Sequence, residues 1–157
     1  MKGIPADLAA KLAAMPGATS YGVRMPEVVI VSSSGMHAQS NSDRCVAWIP
    51  IVVRSKLNQR QHWAPRARAA KIERREGCAA VYFFGAQSGP LTITLTRVGG
   101  RPMDDDNLAG AFKSIRDGIA DGIRRDDGDK TIRWVYEQRP RRRGESAGCE
   151  VVITKGR

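Results

Sequence analysis

"LTITLTRVGGRPMDDDNLAGAFKSIRDGI" (Leu91–Ile119) holds a change of period that decides the fold. Its first part alternates. Leu91, Ile93, Leu95 and Arg97 fall on one side of an extended chain, and Thr92, Thr94 and Thr96 on the other, which is the period-two pattern of a strand. "GGRPM" (Gly99–Met103) then predicts a turn. Past the acids the period changes, because Leu108, Ala111, Phe112, Ile115, Ile119 and Ile123 follow i, i+3, i+4, i+7 spacing and make one apolar stripe of a helix. Gly118 and Gly122 each cost that helix about 1 kcal/mol relative to Ala, a cost that fits a helix pressed closely on a sheet.

Working outward, "CVAWIPIVV" (Cys45–Val53) is a β-branched and aromatic run suited to a strand. "RSKLNQRQHWAP" (Arg54–Pro65) is a polar, basic loop whose Pro65 suits the first turn of a helix. "RARAAKIERREG" is expected to be that helix, stopping at Gly77. "AAVYFFG" (Ala79–Gly85) and "PLTITLTRV" (Pro90–Val98) are expected as a hairpin across "AQSG". "KTIRWVYEQ" (Lys130–Gln138) and "GCEVVIT" (Gly148–Thr154) are expected as a closing antiparallel pair. The fold class expected is α/β (α+β), with a mixed, largely antiparallel sheet and two main helices. Residues 1–44 differ in texture: an Ala/Leu helix (Pro5–Met15), a strand "VVIVSS" (Val28–Ser33) and the polar stretch "SGMHAQSNSD" (Ser34–Asp43). They are expected as a partly ordered N-terminal extension packed on a domain of residues 45–157.

The 157 residues are enough for one domain with a proper core. Lys plus Arg number 26 against 16 Asp plus Glu, a net charge of +10 that favours a nucleic acid or another anionic surface as partner. Eight of the 16 acids fall between Asp104 and Asp129, so the remaining chain is more basic still. Cys45, Cys78 and Cys149 stand singly without CxxC pairing, which argues against a zinc site and for reduced, buried thiols. Asp7 and Lys11 interrupt the N-terminal apolar run, and no stretch approaches the roughly 20 apolar residues of a membrane span. A cytoplasmic protein without a membrane partner or an organic cofactor is expected.

Asp104 and Asp106 are one residue apart, and in an extended segment that spacing puts both carboxylates on one side. Asp105 then points away. Such a pair suits Mg²⁺, which takes one or two carboxylates together with water and substrate phosphate. Asp126 and Asp127 form a second doublet beyond the helix. Up to about 25 Å of helix separates the doublets, so the chain must double back if both are to share a metal. A plainer reading has Asp106 capping a helix that starts at Asn107, Asp104 and Asp105 favoured by the helix dipole, and "RRDDGDK" a solvated turn. Spacing alone leaves both open.

"DDDNL" (Asp104–Leu108), the amphipathic helix with its Lys and "RD", then "DDGD" (Asp126–Asp129) and a strand, resembles the RusA family of Holliday junction resolvases. The upstream "SKLNQRQHW" is similar to that family's basic, Asn-containing loop. The resemblance covers roughly Val46 to Ile153. It implies a homodimer that cuts two strands of four-way, branched DNA using Mg²⁺, with Mn²⁺ as a substitute. On this resemblance Asp104, Asp106, Asp126 and Asp127 hold the metal, and Asp104, Asp106 and Asp127 are catalytic. Lys56, Asn58, Arg60, His62, Trp63, Arg66, Arg68 and Lys71, with Arg141 and Arg142 of the "RPRRR" turn (Arg139–Arg143), are expected to meet DNA. One departure stands out, because the family's Lys four residues after the second Asp is Gly110 here. Lys113 is the nearest replacement, about 10 Å further along the helix. Its plain alternative is an i, i+4 ion pair with Asp117. Gly110 also favours an alternative function, a non-catalytic branched-DNA-binding protein of the same fold. A less selective metal-dependent nuclease is the other alternative.

Overall fold

The computed structural model describes residues 28–31, 35–40, 43–55 and 63–156. The alternation read from the sequence is realised in a strand, Leu91–Gly99, where Leu91, Ile93 and Leu95 are at most 2% exposed. It is β4 of a six-stranded sheet. The other strands are β1 (Val28–Val31), β2 (His37–Ser40), β3 (Arg44–Ile49), β5 (Ile132–Pro140) and β6 (Gly148–Lys155), in the order β1-β2-β3-β6-β4-β5. Every pairing is antiparallel except β4 with β5, which is parallel. The architecture is α+β, a mixed and mostly antiparallel sheet with two main helices, as expected. Because β6 runs against both β3 and β4, the strands β3, β4 and β5 all point the same way. Their carboxyl ends therefore share one edge of the sheet.

Helix α1 (Trp63–Val81) joins β3 to β4, and helix α2 (Asp105–Gly122) is the crossover that a parallel β4–β5 pair requires. The predicted stripe of α2 is its core face: Leu108, Ala111, Phe112, Ile115 and Ile119 are buried, as is Ile123 just beyond. They join Cys45, Ala47, Ile49, Val151 and Ile153 in one core. Burial raises the Cys45 thiol to about 12 and that of Cys149 further, so both behave as small hydrophobes.

Several expectations are corrected. Gly77 does not end α1. The helix continues to Val81 and closes in a 3-10 turn (Tyr82–Phe84), so the expected hairpin of Ala79–Gly85 with Pro90–Val98 does not form. Ala80 and Val81 are sealed in the core instead. The glycines press on helix rather than sheet: a Cβ at Gly77 would stand 2.6 Å from the Ile115 carbonyl oxygen, one at Gly122 2.7 Å from that of Cys78, and one at Gly118 would overlap that of Arg74. The closing strands β5 and β6 are not neighbours, since β4 lies between them. Helix α2 begins at Asp105, not Asn107, with Asp104 rather than Asp106 in the N-cap position.

The strand expected at Val28–Ser33 is β1, and the polar stretch after it contains β2, so the sheet runs on through β1 and β2 without a break at residue 44. The helix expected at Pro5–Met15 lies outside the described residues. Among the described residues no helix is long and apolar enough to cross a membrane.

Candidate nucleic-acid and metal site

The common carboxyl edge of β3, β4 and β5 gathers three loops. Out of β3 comes the segment leading to Ser55. Out of β4 comes Gly100–Asp104, and out of β5 the Arg-rich turn Arg141–Ala147. Cross-links fix them to one another. Ser55 Oγ donates to Asn107 Oδ1 at 2.9 Å, and Asn107 Nδ2 donates to Asp104 Oδ2 at 3.0 Å. Asn107 thus ties the acidic cluster to the start of the basic loop and orients one carboxylate. Gln138 of β5 brackets the backbone just before the acids, accepting from Met103 N at 2.8 Å and donating to Met103 O at 2.6 Å. Arg141 N donates to Gly99 O at 3.1 Å.

Beneath these loops lies Arg97, 9% exposed, on the helix-facing side of β4. Its Nε donates to Val53 O and its Nη1 to Arg101 O, both at 3.1 Å. The guanidinium folds over Gly99, where a Cβ would stand 2.8 Å from its central carbon. The Arg-rich turn is itself held by charge. Arg139 donates two hydrogen bonds to Glu145, at 2.7 and 2.8 Å, and Arg142 N adds a third. The Arg139 bonds first, then that backbone donor, lower the Glu145 carboxyl to about 2.

Asp104, Asp105 and Asp106 are exposed at the amino end of α2. None of the three enters an ion pair among the described residues. Two carboxylates open to solvent, one of them oriented by an amide, fit a hard cation that completes its shell with water and phosphate.

The second doublet is arranged differently. After Gly122 the chain does double back, and Asp127 Oδ2 accepts from Arg116 Nη2 at 2.5 Å. Arg116 also lies 5.8 Å over the Trp134 ring, and Trp134 Nε1 donates to Asp127 O at 3.3 Å. Arg116 is ten residues, or about 15 Å of helix, beyond Asp106. Asp127 therefore returns part of the way and stops at a guanidinium. Asp126 Oδ1 accepts from Gly128 N at 2.8 Å in a local turn. Among the described residues no three or more His, Cys, Asp or Glu side chains lie close enough together to hold a metal ion. Lys113 is exposed and pairs with Asp117 at 3.5 Å, the plainer of its two readings.

Of the residues expected to meet DNA, Arg66, Arg68 and Lys71 are exposed along α1, Trp63 is 73% exposed at its start, and Arg141 and Arg142 are exposed on the turn. Lys56, Asn58, Arg60 and His62 lie outside the described residues. Sequence reasoning assigned no role at the site to Ser55, Arg97, Gln138 or Arg116. Two of them carried a visible signal: Arg97, a charge at a buried position of an apolar alternation, and Arg116, the arginine of the "RD" in the helix. The sequence matches no protein-family model and no curated protein.

Proposed function

We propose that the protein is a Mg²⁺-dependent, structure-specific DNA endonuclease of the cytoplasm that acts as a homodimer and resolves four-way junctions by paired symmetric nicks. The observation that carries this reading is the meeting of exposed carboxylates with basic chain at one sheet edge. Asn107 joins Asp104 to Ser55 at the head of the basic segment, and Gly99 O joins the same edge to Arg141.

In this reading Arg66, Arg68, Lys71, Arg141 and Arg142 neutralise phosphates and hold the backbone of a DNA arm, an attraction that weakens steeply with salt. Asp104 and Asp106 are the side chains that would hold the metal, Asp104 kept in orientation by Asn107. When bound, such a metal polarises a phosphoryl oxygen and acidifies an attacking water. Asp105 stays in solvent, and Asp127 joins the set only if Arg116 releases it. Two copies related by a two-fold present two such sites to symmetry-related strands.

The pairing of Lys113 with Asp117 and of Asp127 with Arg116 favours a second reading, a non-catalytic binder of branched DNA. The deciding assay incubates labelled four-way junctions and linear duplex with the wild type and Asp106→Asn, with Mg²⁺ or with EDTA. Paired nicks in the junction alone, lost in Asp106→Asn and in EDTA, are expected. Tight binding without any cleavage would establish the second reading instead, and equal cutting of both substrates would make the protein a general nuclease.

A further inference from the structure

The face of the sheet turned away from α1 and α2 is banded by charge. Strand register lines up its side chains in rows across β3, β6, β4 and β5. The middle row runs Val46, Val152, Thr94, Val135. These valines are only partly buried, whereas Ala47 and Val151 on the helix face are sealed. On one side of this row, Arg44 and Arg133 end a row whose centre is threonine. On the other side lie Glu150 and Glu137, flanking Thr96. Along the strand direction the face is therefore basic, then apolar, then acidic, and Arg139 of the next row pairs with Glu150 at 3.7 Å, leaving Glu137 as the acid of that row outside any ion pair among the described residues. Arg133 and Glu137 are exposed and four residues apart on β5, about 13 Å along the strand, so they do not neutralise each other within one chain.

We propose that this face is a self-complementary contact surface whose partner is a second copy of the same chain, packed sheet on sheet. The pattern selects one symmetry. A two-fold lying along the middle row stacks each strand on itself, sets valine on valine and inverts the strand direction, so on β5 the arginine of each copy meets the glutamate of the other. Arg133 then stands opposite Glu137 of the second copy, twice by symmetry. A two-fold along the strands would instead set basic on basic and acidic on acidic. The aligned sheets would sit about 10 Å apart, within reach of an Arg and a Glu extended from opposite sides. The proposal rests on the homodimer of the preceding reading only for the existence of a dimer. The choice of surface comes from the sheet.

Charge reversal at the exposed pair gives the test. Sedimentation equilibrium of the full chain is compared for wild type, Arg133→Glu, Glu137→Arg and the double reversal. The expected result is a wild-type species of twice the 17.2 kDa chain mass, with each single reversal weakening the dimer at least about tenfold. The double reversal should restore it, because the two sites simply exchange signs. Circular dichroism should show all four folded alike, both positions being exposed on an edge strand. A dimer indifferent to all three variants would overturn this surface and keep the homodimer. A wild type monomeric throughout would overturn both, and weakening by the singles without rescue by the double would overturn the Arg133–Glu137 apposition.

Discussion

Asn107 shows how much one amide contributes at the sheet edge. Its two faces accept from Ser55 and donate to Asp104, across 52 residues of chain in the first case. Asn107→Ala is expected to cost about 1–2 kcal/mol of stability in denaturant unfolding, since it removes two part-exposed hydrogen bonds. It should also reduce junction cleavage, whereas Asp105→Asn, altering a carboxylate that enters no ion pair among the described residues, should leave cleavage within about twofold of wild type. The sequence marked Asn107 as a helix residue near metal-type acids but gave no sign of Ser55, because nothing local links two such distant positions. A second residue-scale prediction concerns Glu145. Its carboxyl is depressed by Arg139 to about 2, so its contribution to stability is complete above its unfolded value and is lost as pH falls through about 2. An NMR titration should find Glu145 still ionised near pH 3. Arg139→Gln should return its midpoint toward the usual carboxylate range.

Among elements, the crossing of α1 and α2 is where sequence reading and structure part most clearly. Gly118 and Gly122 break the helix rule, and they were legible as close-contact positions. What they contact was not, because a glycine reports only that a backbone comes near. The neighbour is α1, whose own Gly77 was mistaken for its end. Ala79–Phe84 is a short apolar run, and such runs do not distinguish strand from helix by period. Tertiary packing decided for helix, as Val81 stands against Gly122. Gly118→Ala is accordingly expected to destabilise by about 1–3 kcal/mol despite the better helix propensity of Ala, since its Cβ meets a backbone carbonyl that cannot move aside. Thermal unfolding of the variant measures it, and a neutral or raised midpoint would contradict the crossing.

At the scale of the whole molecule, the strand directions matter more than any single motif. The β4–α2–β5 crossover places the end of β4 and the start of β5 at opposite edges of the sheet. Two acidic doublets separated by that helix therefore begin at opposite edges, and only the fold back toward Arg116 narrows the gap. The sequence showed both doublets and the helix between them, but not the guanidinium on which the second one rests. The basic residues give a further expectation. If about four phosphates are neutralised, log K should fall against log salt with a slope of about −4. That corresponds to roughly a hundredfold weaker junction binding at 200 mM than at 50 mM salt. A flat salt response would exclude a backbone-tracking interface.

Arg97 ties the segment after β3 to the segment after β4 through two carbonyl oxygens and one guanidinium. Two loops that share a clamp cannot open independently, so Val53–Ser55 and Arg101–Asp104 should behave as one cooperative unit of local unfolding. In hydrogen–deuterium exchange, Arg97→Met should accelerate both segments together while β4 itself stays protected.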